Sequence, residues 1–203
     1  MKYYIKKALL ASAIGLAMPM TSFTTMPIMA AEVEVPSVET VEVESNDPFV
    51  RNYKITDGNE SMFVSINNNT YEVYIDGELV PFEVEPIALP NATVNYSTGV
   101  NLTYNVPVKA TVSLTAAAIS LFCPGIGAYA DIIASLVDLG STNNIYLTCT
   151  QYRSVEQYYS SYAGVYYNKA INMNIRAYKN SIASSNLFYG PVNGSWFDPV
   201  RPY

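Results

Sequence analysis

The chain contains no histidine, and this limits the chemistry that its side chains can perform. Hydrolases built on a Ser–His or Cys–His pair need an imidazole to take the proton from the nucleophile, so both arrangements are excluded. A glycosidase would need only two carboxylates, but candidates such as Asp57 and Glu60 stand beside turn residues, where acids are common. We therefore expect a non-catalytic protein with no metal site and no cofactor.

Tyrosine is the unusual residue of this chain, with eighteen copies. Its flat apolar face and polar tip suit contacts with sugars and with proteins. Strands are also rich in tyrosine for purely structural reasons, so structural use is the alternative. The candidate binding residues are the tyrosines that cluster between residues 152 and 166, namely Tyr152, Tyr158, Tyr159, Tyr162 and Tyr166.

The two cysteines, Cys123 and Cys149, predict a disulfide bond. An even number of cysteines in an exported chain is typical of paired thiols. Cys149 has the same parity as Ile145 and Leu147, so we expect it on the buried face of a strand. The alternative is a pair of buried thiols. Metal binding is not expected, because the chain clusters too few ligands.

Residues 1–31 have the pattern of a secretory signal peptide. Three lysines come first, an apolar core from Ala8 to Met18 follows, and the small residues Ala30 and Ala31 offer a cleavage site. The sequence therefore predicts a secreted, extracellular protein. Its composition, rich in Asn, Tyr and Ile, favours a bacterial source.

The charge of the chain is negative and unevenly distributed. The net charge is −6, and it becomes −9 when the three lysines of the signal are removed. Residues 32–47, EVEVPSVETVEVESND, hold five glutamates and no basic residue. This pattern predicts an acidic flexible leader, with an edge strand or a removable pro-segment as alternatives. Nucleic acid is not expected as a partner, since phosphate binding needs a basic stripe.

Residues 48–203 are predicted to form a single α+β domain. Short alternating segments separated by Asp57-Gly58 and Asp76-Gly77 predict an antiparallel meander. Residues 94–108 alternate between Val, Leu or Tyr and polar residues, with Gly99 as a bulge or a turn. Further strands are predicted at 144–152 and 164–178, and an irregular tail follows after Asn180, held down by Leu187, Phe188 and Trp196.

An uncharged apolar stretch lies within residues 112–139, and Pro124 and Gly125 interrupt it. Such an interruption favours two short helices, at 113–122 and 127–139, over one long helix. The first is apolar nearly all round, which predicts deep burial and a cap at Ser113. We expect antiparallel β-sheets of several strands packed by this short helical hairpin, with Leu121, Ile132, Ile133 and Leu136 in the core.

Two functions remain open at this point. The first is a secreted, non-catalytic binding protein that uses a tyrosine-rich β surface to contact an extracellular protein or glycan. The second is a membrane-active secreted effector, similar to a bacteriocin or toxin, that inserts the 112–139 hairpin at a membrane surface. The negative charge weighs against the second, because anionic membranes repel acidic proteins. The oligomeric state is not predicted.

Overall fold

Two antiparallel sheets of five strands each and one helix form the part of the chain that a computed structural model describes. The described residues are 38–89, 96–108, 111–124 and 143–203. The fold is an α+β or mainly β fold. The predicted second helix at 127–139, with its core candidates Ile132, Ile133 and Leu136, lies outside the described residues, as does the predicted signal peptide at 1–31. The described residues therefore contain only the first helix of the predicted hairpin, and the hairpin itself is not shown.

The first sheet is a meander in which each strand pairs with the next. Its strands are β1 (Glu39–Val43), β2 (Val50–Asp57), β3 (Glu60–Asn67), β4 (Val73–Ile75) and β5 (Glu78–Leu79). Both predicted turns are confirmed, because Gly58 and Gly77 have positive φ angles of 59° and 81°, which glycine adopts without steric cost. Alternate side chains of β3 and β4 are buried, as the sequence pattern predicts.

Strand β1 lies within the segment predicted as a flexible leader. It pairs with β2 from Glu39 opposite Thr56 to Val43 opposite Asn52, and all five of its side chains are exposed. The structure here matches the edge-strand alternative, since the alternation of Val and Glu supplies a regular partner for β2. Residues 32–37 lie outside the described part, and the mobility of the leader stays a prediction.

The second sheet is also a meander, and its strand order is β10-β9-β8-β7-β6. Its strands are β6 (Phe82–Pro86), β7 (Tyr96–Pro107), β8 (Asn144–Ser160), β9 (Val165–Lys179) and β10 (Leu187–Val192). The predicted parity of β7 is confirmed by the burial of Leu102, Tyr104 and Val106. Strand β10 was not predicted, because Ser, Gly and Pro dominate the tail and conceal its short alternation.

Helix α1 (Val112–Phe122) packs against β2 and β3 of the first sheet. The Phe122 ring lies 5.8 Å from the Tyr104 ring of β7, so the carboxyl end of the helix reaches the second sheet. The prediction of deep burial is confirmed, because eight of its residues are buried. The predicted cap at Ser113 is wrong: Thr111 caps the helix, and its Oγ1 accepts a hydrogen bond of 3.2 Å from the Leu114 amide.

Strand β9 changes its buried face partway along. The sequence pattern placed Ile171 and Met173 inward and Asn172 outward, but Asn172 is fully buried and the other two are half-buried. Asn174 has a positive φ of 53°, and the pairing with β8 shifts register at this point. One extra residue in a strand reverses which face each later side chain occupies.

The carboxyl-terminal tail extends the sheet beside β9. Phe197 and Ala170 exchange two backbone hydrogen bonds of 2.9 Å and 2.8 Å, and the Ser161 amide donates to the Pro202 carbonyl at 3.2 Å. Val200 is fully buried, whereas Trp196 is 44% exposed. The sequence suggested that Trp196 would anchor the tail. The tail is therefore anchored by the buried Val200 side chain and by the backbone pairing of Phe197.

Candidate binding groove

The long hairpin of β8 and β9 carries most of the predicted tyrosines at its far end. Tyr158 lies directly opposite Tyr167, and Tyr159 directly opposite Tyr166. The ring centroids of these pairs are 6.1 Å and 5.1 Å apart. Since successive residues of a strand point to opposite faces, the two pairs decorate different faces of the hairpin.

An open groove of about 600 Å³ runs along one side of this hairpin. This volume falls within the range of roughly 300–1,000 Å³ that is usual for small-molecule sites. We call it the aromatic groove. It is formed by the hairpin, the first residue of β7 and the tail, and its lining residues are Tyr96, Ser154, Val155, Glu156, Tyr158, Lys169 and Trp196.

Tyr96 is positioned by a stack of side chains on β7 and β8. Its ring lies on the ring of Tyr152, with centroids 4.4 Å apart and planes 21° apart. Tyr152 in turn lies opposite Gly99 of β7. A Cβ atom at Gly99 would stand 3.0 Å from the Tyr152 ring and 2.8 Å from Ile87. Because Gly99 has no side chain, the Tyr152 ring has room to lie beneath Tyr96. The predicted bulge lies close to Gly99, where the pairing shifts register between Tyr96 and Thr98.

The wall of the groove comes from an irregular part of β8. The pairing with β9 shifts register between Arg153 and Gln157, which leaves Ser154, Val155 and Glu156 outside the regular ladder. The Ser154 hydroxyl donates a hydrogen bond of 2.7 Å to the Glu156 carbonyl. The Asn168 amide donates one of 2.8 Å to the Ser154 carbonyl. These bonds hold the extra residues in place and leave Val155 56% exposed.

Two opposite charges lie in the groove, and each already has a partner. The Tyr158 hydroxyl donates a hydrogen bond of 2.7 Å to the Glu156 carboxylate, and this bond raises the pKa of Tyr158. The Lys169 ammonium lies 4.7 Å from the centroid of the Tyr158 ring and 3.6 Å from Asp198 Oδ1. The groove and the Asp198 carboxylate beside it thus hold one more negative than positive charge.

Tyr167, on the same face as Tyr158, has a structural position. It is only 7% exposed, and its hydroxyl donates a hydrogen bond of 2.8 Å to Asp198. Loss of solvent on burial and this hydrogen bond raise its pKa to about 12. The Tyr167–Asp198 bond ties the tail to the hairpin.

The five tyrosines singled out from the sequence have different surroundings. Tyr158 lines the aromatic groove, whereas Tyr152 lies beneath Tyr96 as a support. Tyr159 and Tyr166 are 55% and 71% exposed on the other face. Tyr162, in the turn at the tip, lies under the Arg201 guanidinium at 5.0 Å. The sequence therefore identified the hairpin correctly, but the five tyrosines do not share one surface.

The sequence reasoning missed the other groove residues. Tyr96 was assigned only to a strand, and Trp196 only to the packing of the tail. One feature of the sequence could have identified Trp196: it is the single tryptophan of the chain and directly follows the polar segment Asn193-Gly194-Ser195. The placement of both Glu156 and Lys169 in the groove depends on the register shift in β8, which the residue pattern does not predict.

A second, smaller cleft of about 310 Å³ lies between the hairpin and the turn that joins β3 to β4. Tyr166 and Tyr167 line it together with Asn68 and Tyr71. Arg153 crosses it, donating a hydrogen bond of 2.8 Å to the Asn68 carbonyl while its guanidinium lies 5.8 Å from the Tyr71 ring. Because the guanidinium is held this way, we regard the cleft mainly as a junction between the sheets.

The predicted disulfide is wrong for this structure. Cys123 and Cys149 are unbonded thiols whose sulfur atoms lie 3.6 Å apart, whereas a disulfide needs about 2.05 Å. Both are buried, and the Cys149 sulfur also lies 3.9 Å from Asn172 Oδ1. The sequence correctly placed Cys149 on the core face, and the alternative of two buried thiols describes the pair.

The carboxylates considered for catalysis lie at the turn between β2 and β3, where Asp57 is opposite Glu60. The Thr111 hydroxyl donates a hydrogen bond of 3.1 Å to Asp57. Asp57 thereby connects β2 to the residue that caps α1, and this contact gives its carboxylate a structural role.

No protein-family model, curated protein or solved structure matches this chain. Within the four described ranges, no helix has the length and apolar character needed to cross a bilayer. The geometry of the hairpin and its groove is therefore the basis for assigning a function.

Proposed function

We propose that the protein is a secreted, non-catalytic binding protein that contacts an extracellular protein or glycan through the tyrosine-rich end of the β8–β9 hairpin. The observation that carries this proposal is the exposure of Tyr159, Tyr162 and Tyr166, at 55%, 47% and 71%. Exposed aromatic clusters are costly to leave in water and are enriched at recognition surfaces.

The hairpin end is also held in one conformation, which favours binding. Ser160 is fully buried, and its Oγ accepts a hydrogen bond of 3.1 Å from the Ala163 amide and donates one to the Arg201 carbonyl. The Gly164 amide closes the turn with a hydrogen bond of 2.9 Å to the Ser160 carbonyl. A surface that is ordered before binding loses less entropy when a partner arrives.

The test compares wild-type mature protein with the triple variant Tyr159→Ser, Tyr162→Ser, Tyr166→Ser. Binding is measured on immobilised bacterial cell-wall glycans, host glycans and extracellular matrix proteins. The matched control is Phe63→Ser, which removes an aromatic ring that is 39% exposed on β3 of the other sheet. We expect the triple variant to lose binding that the control retains. Equal binding by all three proteins would contradict the proposal.

A second candidate function is a membrane-active effector. It is favoured by helix α1, whose sequence VSLTAAAISLF contains no charged residue. In the described fold this helix is buried against the first sheet, so it would have to leave the core before it could meet a bilayer. Leakage of dye from anionic liposomes on addition of the mature protein would favour this candidate.

A further inference from the structure

We infer that the aromatic groove binds a neutral glycan and that the Trp196 ring is the surface on which a sugar ring stacks. This inference goes beyond the proposed binding surface, because it assigns a second site on the same hairpin and the ligand class of that site. The sugar would be held by the groove face of the hairpin, not by the exposed face that carries Tyr159 and Tyr166.

The first support is the placement of the aromatic rings. The face of a pyranose that carries its C–H bonds is apolar and flat, so it packs on an aromatic ring. Trp196 is 44% exposed, and the Tyr96 ring lies beside it, with centroids 6.1 Å apart and planes tilted by 38°. Tyr96 is itself fixed on Tyr152, so the indole is backed on one side and open on another.

The second support is the set of polar groups around these rings. Sugar hydroxyls both donate and accept hydrogen bonds, so they need both kinds of partner. The Glu156 carboxylate can accept further hydrogen bonds beside the one from Tyr158, and the Lys169 ammonium can donate them.

The third support is the charge around the groove, which disfavours an anionic ligand. One carboxylate and one ammonium line the groove, and each is paired with a neighbouring group. A site for phosphate, sulfate or a sugar acid needs an excess of cations, which this lining lacks. A groove of about 600 Å³ has the volume of a small-molecule site and fits the end of an oligosaccharide.

Trp196 provides a direct test because it is the only tryptophan of the chain. Its fluorescence would be followed while cellotetraose, chitotetraose, maltotetraose or laminaritetraose is added to the mature protein, with sialyllactose as the anionic comparison. We expect a saturable change in emission with at least one neutral sugar and none with sialyllactose.

Variants locate the binding. By calorimetry, Trp196→Ala should abolish binding, and Lys169→Ala should weaken it about tenfold, which corresponds to about 1.4 kcal/mol. Trp196→Phe keeps a ring and should bind more weakly than wild type but measurably. The matched control is Phe63→Ala, which removes a 39% exposed ring from β3 of the other sheet and should bind as wild type does. Unchanged thermal melting of each variant shows that the fold is retained.

Three results would overturn the inference: no saturable change with any neutral sugar, equal binding by Trp196→Ala, or a preference for sialyllactose. The proposed function fails separately. If the groove binds no glycan but the hairpin triple variant still loses binding to a protein of the panel, the assignment of the groove is wrong and the proposed binding function stands.

Discussion

Glu42 Oε1 lies 3.0 Å from Arg201 Nη2, which joins the first described strand to the carboxyl-terminal tail. The same oxygen lies 3.5 Å from Arg51 Nη1 of β2. Arg201 also covers the Tyr162 ring at the tip of the hairpin. One carboxylate of an edge strand therefore connects β2, the tail and the hairpin end.

We predict that Glu42→Gln loosens β1 without unfolding the protein. Ion pairs between partly exposed side chains are worth only about 0–1 kcal/mol, so the melting temperature should change little. Limited proteolysis followed by mass spectrometry should first cut within residues 32–47, and the variant should lose β1 faster. Glu44→Gln, which removes the same charge from an exposed position, is the control. A protected amino terminus with cuts elsewhere would contradict this prediction.

We predict that Gly99→Ala lowers the free energy of unfolding by about 1–2 kcal/mol, a usual cost of overpacking. The added methyl group would press on Ile87 and Tyr152. Chemical denaturation measures the effect. The double variant Gly99→Ala, Ile87→Ala should lose less stability than the two single changes added together, because removing the Ile87 side chain relieves part of the clash. Strict additivity would show that the contact is unimportant.

We predict that Ile119→Ala costs about 2–5 kcal/mol, through lost burial and the cavity that remains. Ile119 is 1% exposed in helix α1. Ile119→Asp should prevent folding, since a buried unpaired charge has no compensation. Val112→Ala, at a position of the same helix that is 38% exposed, is the control. A stable Ile119→Asp protein that no longer binds liposomes would favour the membrane-active candidate.

We predict that the protein loses stability in alkali. The pKa of Tyr167 is raised from 10.0 to about 12, so the folded state holds this proton more tightly than the unfolded chain. Its contribution is complete below about pH 10 and is lost as the pH rises toward about 12. Burial also raises the pKa of Tyr53 and Tyr104, which adds to the loss.

The measurement is the melting temperature as a function of pH. Tyr167→Phe should reduce the decline above pH 10. At neutral pH it should lower the free energy of unfolding by about 1.5–3 kcal/mol, because a hydrogen bond to the Asp198 carboxylate is gone. Tyr166→Phe, which alters a side chain that is 71% exposed, should keep the wild-type profile. An identical decline in all three proteins would exclude Tyr167 as a contributor.

We predict that the two thiols react slowly with alkylating agents in the native protein and rapidly after unfolding. Cys123 and Cys149 are 0% and 5% exposed. The hydrogen bond between them and the loss of solvent raise the pKa of Cys123 well above its usual value, which lowers the amount of reactive thiolate. Mass spectrometry of the alkylated protein counts the modified cysteines. A protein mass lower by two hydrogen atoms, together with no alkylation after unfolding, would show a disulfide and contradict unbonded thiols.

Regular alternation was the part of the fold that the sequence predicted well. Leu102, Tyr104 and Val106 of β7 and Ile145 and Leu147 of β8 face the core as their parity requires. The prediction of buried faces failed where one extra residue interrupts the two-residue alternation of a strand. Asn174 adopts a left-handed conformation and reverses the faces of β9, and a pattern of period two cannot reveal such a shift.

The candidate site was predicted only in part, for a related reason. The tyrosine cluster correctly identified the β8–β9 hairpin, because those residues are close in the sequence. The groove also needs Tyr96 and Trp196, which only the pairing of β7 with β8 and of the tail with β9 brings near Tyr158. Side chains that meet through long-range pairing leave no local pattern.

The meander order of both sheets has a consequence for how the chain folds. Strands that are neighbours in a sheet are neighbours in the sequence, and such local pairing is associated with fast folding. The β8–β9 hairpin closes over a short turn after Ser160, whereas the pairing of β7 with β8 must wait for the long connection between Pro107 and Asn144. We expect the hairpin that carries the proposed binding residues to form early and helix α1 to be enclosed late.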